Sequence, residues 1–186
     1  MDILEKRVKV NDPTCAEQLA DGLQSLFSPI QSYPIVIICI GTDRSTGDCL
    51  GPLIGTLLQD VPLHHFHCYG TLDTPIHALN LQDSILMIKQ EHPRSKIIAI
   101  DACLGEFKNM YSIKIGNGPI RPGKAVQKKL PAVGDFHITG IVNQIGPMGA
   151  FVLQSTRLSV VMNMAKQIAH AITIVDQANH SLKRLV

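Results

Sequence analysis

The apolar run Pro34-Ile35-Val36-Ile37-Ile38-Cys39-Ile40 passes directly into Gly41-Thr42-Asp43-Arg44-Ser45-Thr46-Gly47-Asp48-Cys49-Leu50-Gly51-Pro52, and then into Leu53-Ile54-Gly55-Thr56-Leu57-Leu58. The first stretch reads as a buried strand, the second as a polar, glycine-bearing turn and the third as a helix. A strand that feeds a helix through such a turn commits the chain to an α/β fold. It also marks where chemistry belongs, because ligands in these folds bind beyond the carboxyl ends of parallel strands. A second buried strand, Ile97-Ile98-Ala99-Ile100, ends on Asp101-Ala102-Cys103. Two strands that each deliver an aspartate to one edge predict a site built on paired carboxylates.

The remaining elements follow the same pattern. Residues 1–33 read as a peripheral segment carrying a short amphipathic helix after Thr14, a candidate N-cap. A strand at 35–40, a helix at 48–60, a strand at 64–69, a helix at 75–91 opened by Pro75, and a strand at 96–101 predict a parallel sheet with right-handed crossovers. Tyr111-Ser112-Ile113-Lys114-Ile115 alternates like a half-exposed strand, and Gly116-Asn117-Gly118-Pro119 reads as a turn. Residues 121–134 form a Pro-, Gly- and Lys-rich excursion with a short helix. Strand-like runs recur at 136–142 and 149–153, and the chain closes with a long helix over 157–179 whose apolar residues keep helical spacing. The later faces of that helix are apolar too, as in a helix buried twice or one that meets a partner subunit. One α/β domain over 1–186 is the simplest organisation.

Composition narrows the class. At 186 residues with 45% hydrophobic and 17% charged residues, the chain can bury a core and is globular. A net charge of +2 carries no nucleic-acid footprint, and 4% aromatics without Trp argue against base stacking. The apolar runs fall short of the roughly 20 residues that span a bilayer, and the charged start lacks the apolar stretch of a signal peptide. Five cysteines without CxxC spacing read as reduced thiols, which predicts a cytoplasmic protein.

Each candidate residue has a chemical and a structural reading. Asp48 is either a carboxylate presented above the first strand or the N-cap of the following helix; Asp43 in the same loop reads as a turn residue. Asp101 is either a structural acid or the partner of Asp48. Charge at the end of an apolar strand is costly without compensation. Close carboxylates split their titration, so that one holds a proton while the other stays ionised, and they can also share a cation. His137 is either a packing residue or a third ligand that completes an Asp/Asp/His set with an open position for a water-activating divalent metal. His64, His65 and His67 read as a partly solvated strand. Cys49 and Cys103 sit beside the aspartates, but a reactive thiolate wants a cationic neighbour, not an acid. Arg121, Lys124, Lys128 and Lys129 read as a solvated face or as an acidic-substrate contact. Gly70-Thr71-Leu72-Asp73-Thr74-Pro75 lines the same predicted edge, which makes Thr71 and Asp73, with Gly140, candidate substrate contacts. It matches no phosphate-binding loop.

The segments Gly47-Asp48-Cys49-Leu50-Gly51-Pro52, Gly70-Thr71, Ile100-Asp101-Ala102 and Val133-Gly134-Asp135-Phe136-His137-Ile138-Thr139-Gly140 resemble a group of sporulation proteins related to the germination protease of spore-forming bacteria. The aspartate segments are similar to that protease's Asp-Ala-Leu-Gly-Pro and Asp-Ala-Leu motifs, although Cys49 stands where the protease has Ala. The resemblance covers about 34–178. It implies a three-layer phosphorylase/hydrolase-like fold, with a mostly parallel twisted sheet flanked by helices. It makes Asp48 and Asp101 the catalytic carboxylates of an unusual acid-type endopeptidase that degrades small acid-soluble spore proteins in the forespore or spore. The hydrogenase-maturation proteases share the fold. They use an acid in the first strand–helix loop, an Asp after a later strand and a His in an H-x-x-G segment to recognise nickel, and Asp48, Asp101 and His137 fall in those places. The expected activity is therefore peptide hydrolysis by paired aspartates, with or without a divalent metal, on a protein or peptide substrate. A non-catalytic binding or assembly protein on the same fold, or a small-amide hydrolase, are the rival readings, and a homo-oligomer is compatible with all three.

Overall fold

In the computed structural model, residues 5–27, 33–123 and 130–183 are described, with side chains as far as His180. The chain order is β1 (Glu5–Lys9), α1 (Cys15–Phe27), β2 (Ile35–Cys39), α2 (Leu50–Gln59), β3 (Phe66–Tyr69), α3 (Leu81–Glu91), β4 (Lys96–Gly105), a 3-10 turn (Phe107–Asn109), β5 (Ser112–Asn117), β6 (Phe136–Gln144), α4 (Gly149–Gln154) and α5 (Leu158–Lys183). The six strands form one sheet in the order β1-β5-β6-β4-β2-β3. The block β6-β4-β2-β3 is parallel, β5 pairs antiparallel with β6, and β1 pairs antiparallel with β5 at the edge. The fold is therefore α/β, with a mixed sheet flanked by helices.

Alternation along the strands sends successive side chains to opposite faces. Ile37, Ile100, Ile115 and Ile138 meet Leu23 of α1, Leu50 and Ile54 of α2 and Ile168 of α5 in one buried cluster. Val36, Ile38, Ile97 and Ala99 meet Leu81 and Ile88 of α3 in a second. These two clusters make the three layers. By length and composition Leu158–His180 would be long and apolar enough to cross a membrane. Its Val161, Met164, Ala165, Ile168 and Ile172 instead fill the core, which accounts for its apolarity.

Four expectations are corrected. The N-terminal segment is integral rather than peripheral: β1 pairs with β5 at the sheet edge, and α1 buries Cys15, Leu19, Leu23 and Phe27. The helix expected over 75–91 starts at Leu81, because Ile76 is occupied as a strand-like bridge to Ile40. The apolar run 149–153 is a helix, since periodicity cannot decide so short a stretch. Gly116 and Asn117 belong to β5, and the turn begins at Gly118 (φ 89°). Of the stretch 121–134 expected to carry a short helix, residues 124–129, with Lys124, Lys128 and Lys129, lie outside those described.

Candidate active site

Strands β2 and β4 are neighbours, yet the chain leaves β2 toward β3 on one side and leaves β4 toward β5 and β6 on the other. Adjacent strands whose connections part in this way open a crevice at their carboxyl ends. The Asp48 loop emerges from β2 at this crevice, and Asp101 lies in the carboxyl half of β4.

The loop is held by backbone contacts. Gly41 takes φ 146°, and a Cβ there would strike the carbonyl of Asp48. Thr42 N–H donates to that carbonyl (3.2 Å), Cys49 N–H to Ser45 O (3.0 Å), and Gly47 N–H to Leu153 O of α4 (2.8 Å). The helix cap is Cys49, which makes no side-chain capping bond. Asp48 lies one residue outside it, so the structural reading of Asp48 as an N-cap does not hold.

Asp101 is 9% exposed, and Ala102 N–H donates to its Oδ1 (2.9 Å). Burial, and next to it the charge of Asp48, push its carboxyl well above the ordinary carboxylate range, while the Ala102 amide pulls weakly the other way. The two aspartates are thus electrostatic neighbours. One such acid can retain its proton near neutral pH while the other is ionised.

The other expected residues divide. In the register, Ala99 faces His137 and Asp101 faces Thr139, so His137 sits two residues below the acid on the same face. Its Nδ1–H donates to the carbonyl of Gly118 (3.0 Å), on the side away from Asp48. Among the described residues no three His, Cys, Asp or Glu side chains are placed to hold a metal ion, so Asp48, Asp101 and His137 do not form the expected three-ligand set. Gly140 lies on the opposite face, where a Cβ would run into Leu50 of α2 and Met164 of α5. It is a packing glycine, not a substrate contact. Thr71 is buried, and its hydroxyl accepts from Thr74 N–H (3.1 Å) to close a tight turn that leaves Asp73 exposed. Thr71 lines a cleft of about 430 Å³ together with Tyr69, Thr74, His77, Asn80 and Met87, but neither aspartate lines it. Ile76 also lines it and accepts from Gly41 N–H (2.8 Å), so the cleft and the Asp48 loop share a wall.

The thiols are poor nucleophiles. Burial, then Asp101, pushes Cys103 up to about 11, and burial, then Asp48, raises Cys49. His64 and His65 precede β3 and donate their backbone N–H groups to Asp176 of α5.

Sequence reasoning passed over three residues near the site. Asp101, Thr139, Lys114 and Arg7 occupy one register row across β4, β6, β5 and β1. Period-2 alternation from His137 could have placed Thr139. Arg7 and Lys114 needed the pairing of β1, which no local pattern encodes. Lys114 is ion-paired with Glu5 and lowers the Glu5 carboxyl.

Residues 7–171 match the family model of a protein of unknown function, DUF1256, and the chain belongs to that family. It is 48% identical over 182 residues to the uncharacterized protein YyaC of Bacillus subtilis (strain 168), covering 98% of this chain and 89% of YyaC. Its fold is similar to the crystal structure of a [NiFe] hydrogenase maturation protease, HycI, from Thermococcus kodakarensis KOD1. The TM-score is 0.53 at 19% identity, over 83% of this chain and 98% of that one. The resemblance to hydrogenase-maturation proteases therefore holds at the level of the fold.

Proposed function

We propose that this DUF1256 member is a sporulation-associated endopeptidase whose hydrolytic centre is the pair Asp48 and Asp101. The observation that carries the reading is that the Asp48 loop leaves β2 beside the strand β4 that holds Asp101, whose buried carboxyl is biased toward its protonated form first by burial and then by the charge of Asp48. The half-buried Asp48 serves as base to a water that attacks the peptide carbonyl. Asp101 gives its proton to the leaving amine nitrogen as the C–N bond breaks, and the proton taken by Asp48 restores the pair. Each proton transfer of this kind contributes about 10²–10⁴-fold. The protease-like fold supports the assignment, and the resemblance supports small acid-soluble spore proteins in the forespore or spore as the substrate class. The step runs on the two carboxylates and water, since among the described residues no third His, Cys, Asp or Glu joins them to hold a metal ion.

The test is digestion of spore protein extracts across a pH series, with and without added divalent ions, by the native chain and by Asp101→Asn. Cleavage by the native chain and none by the variant supports the reading. Equal turnover removes Asp101 from the mechanism, and no cleavage under any condition removes the peptidase. The second reading, a binding protein that keeps an inert pair, is favoured by the deep burial of Asp101, and it is the outcome left if the native chain cuts nothing.

A further inference from the structure

Four large apolar side chains lie exposed on the segments that follow β4 and β6. Phe107 is 75% exposed, Ile145 63%, Met148 65% and Phe151 60%. Ile145 N–H donates to Gly105 O (2.8 Å), which ties the end of β6 to the turn that carries Phe107. Met148 and Phe151 stand three residues apart at the start of α4, which rests on the Asp48 loop through the Gly47–Leu153 bond. Monomeric surfaces seldom collect apolar groups in this way without a binding role.

Beside the Phe107 turn the charge is mainly positive. Arg7 donates to Asn109 Oδ1 (3.0 Å), and Lys9 Nζ donates to the carbonyls of Lys108 (2.7 Å) and Met110 (2.9 Å). Lys108 itself is paired with Glu106 (3.0 Å). Three cations thus surround the Phe107 turn against one carboxylate. An isologous contact through this rim would bring two copies of the cationic turn into one interface.

We propose that the rim of Phe107, Ile145, Met148 and Phe151 is a docking surface for an acidic polypeptide segment with apolar anchors, held by burial of those anchors and by Arg7, Lys9 and Lys108. The inference deepens the peptidase reading and rests on it for the orientation of the segment toward Asp48 and Asp101. The docking itself needs no catalysis.

The test uses the full chain carrying Asp101→Asn, so that the probe survives, and fluorescence anisotropy with three short synthetic peptides: one of alternating Glu and Leu or Phe, one with Lys for Glu, and one with Ser for the apolar residues. The acidic apolar peptide binds at least about tenfold more tightly than either control, and Phe107→Asp or Phe151→Asp weakens it by about tenfold. Lys9→Glu weakens it and flattens its salt dependence. These side chains are exposed, so the variants keep the circular dichroism of the parent; Phe107→Ser and Phe151→Ser replace any that do not. Unchanged binding in the folded variants, or equal binding of all three peptides, overturns the proposal. A dimer in sedimentation that the same substitutions dissolve overturns it in favour of a second copy. Peptide binding without cleavage by the native chain leaves the docking surface standing and removes only the peptidase.

Discussion

The carboxylate of Asp176, wholly buried in α5, accepts the backbone N–H of His64 (2.7 Å) and of His65 (2.8 Å) and so anchors the entry to β3. Asp176→Ala strands these donors and is expected to cost about 2–3 kcal/mol. Asp176→Asn, which keeps one acceptor oxygen, costs less. Urea denaturation of the three proteins measures the order, and equal midpoints would remove Asp176 from the account of stability.

Asp101 makes stability fall as pH rises. Its folded carboxyl titrates well above the ordinary value of 3.8, so above that value the folded chain retains a proton that the unfolded chain has lost. Stability contributed by that proton is present below the ordinary value and declines upward from there, at no more than about 1.4 kcal/mol per pH unit, until the folded group ionises. Asp101→Asn is expected to flatten this slope and to be more stable than the native chain at neutral pH. Denaturation curves at several pH values read it directly.

Asp48→Asn removes the second cause of the Asp101 shift but leaves burial. The Asp101 carboxyl is expected to move down and remain above the ordinary range. Carbon-13 NMR of labelled aspartate follows the titration, and an unmoved Asp101 would mean that the pair is not coupled.

Gly140→Ala places a methyl group against Leu50 and Met164. Overpacking of this kind costs about 1–3 kcal/mol. The effect appears as a lower thermal midpoint. If turnover per folded molecule fell instead, with the midpoint unchanged, Gly140 would belong to the site after all.

Native Cys103 and Cys49 are expected to resist alkylation at neutral pH, because burial and a neighbouring aspartate raise both thiols. Cys15 and Cys39, fully buried, behave alike, and the half-buried Cys68, which lines the cleft, labels first. Mass spectrometry after timed iodoacetamide treatment gives the order.

The α/β fold and the aspartate pair were legible because both rest on unbroken apolar runs. Ile35–Cys39 and residues 97–102 of β4 are buried on both faces, and such runs announce central parallel strands. β1 was illegible because an edge strand with only Val8 buried has no apolar pattern to read. The fate of His137 was hidden for a different reason: its partner is the carbonyl of Gly118, brought near by the antiparallel pairing of β5 and β6. Gly140 looked like part of a motif, whereas its lack of a side chain serves the seat of α2 and α5 on the sheet.

Glu5 lies opposite Gly116 and Lys9 opposite Ser112, so β1 finds its partner more than a hundred residues later in the chain. Closing so long a loop is entropically late work. On a ribosome the amino-terminal strand must wait, unpaired, until most of the sheet has been made. Arg7 and Lys9, which hold the Phe107–Asn109 turn through Asn109, Lys108 and Met110, reach that turn only when this pairing is made.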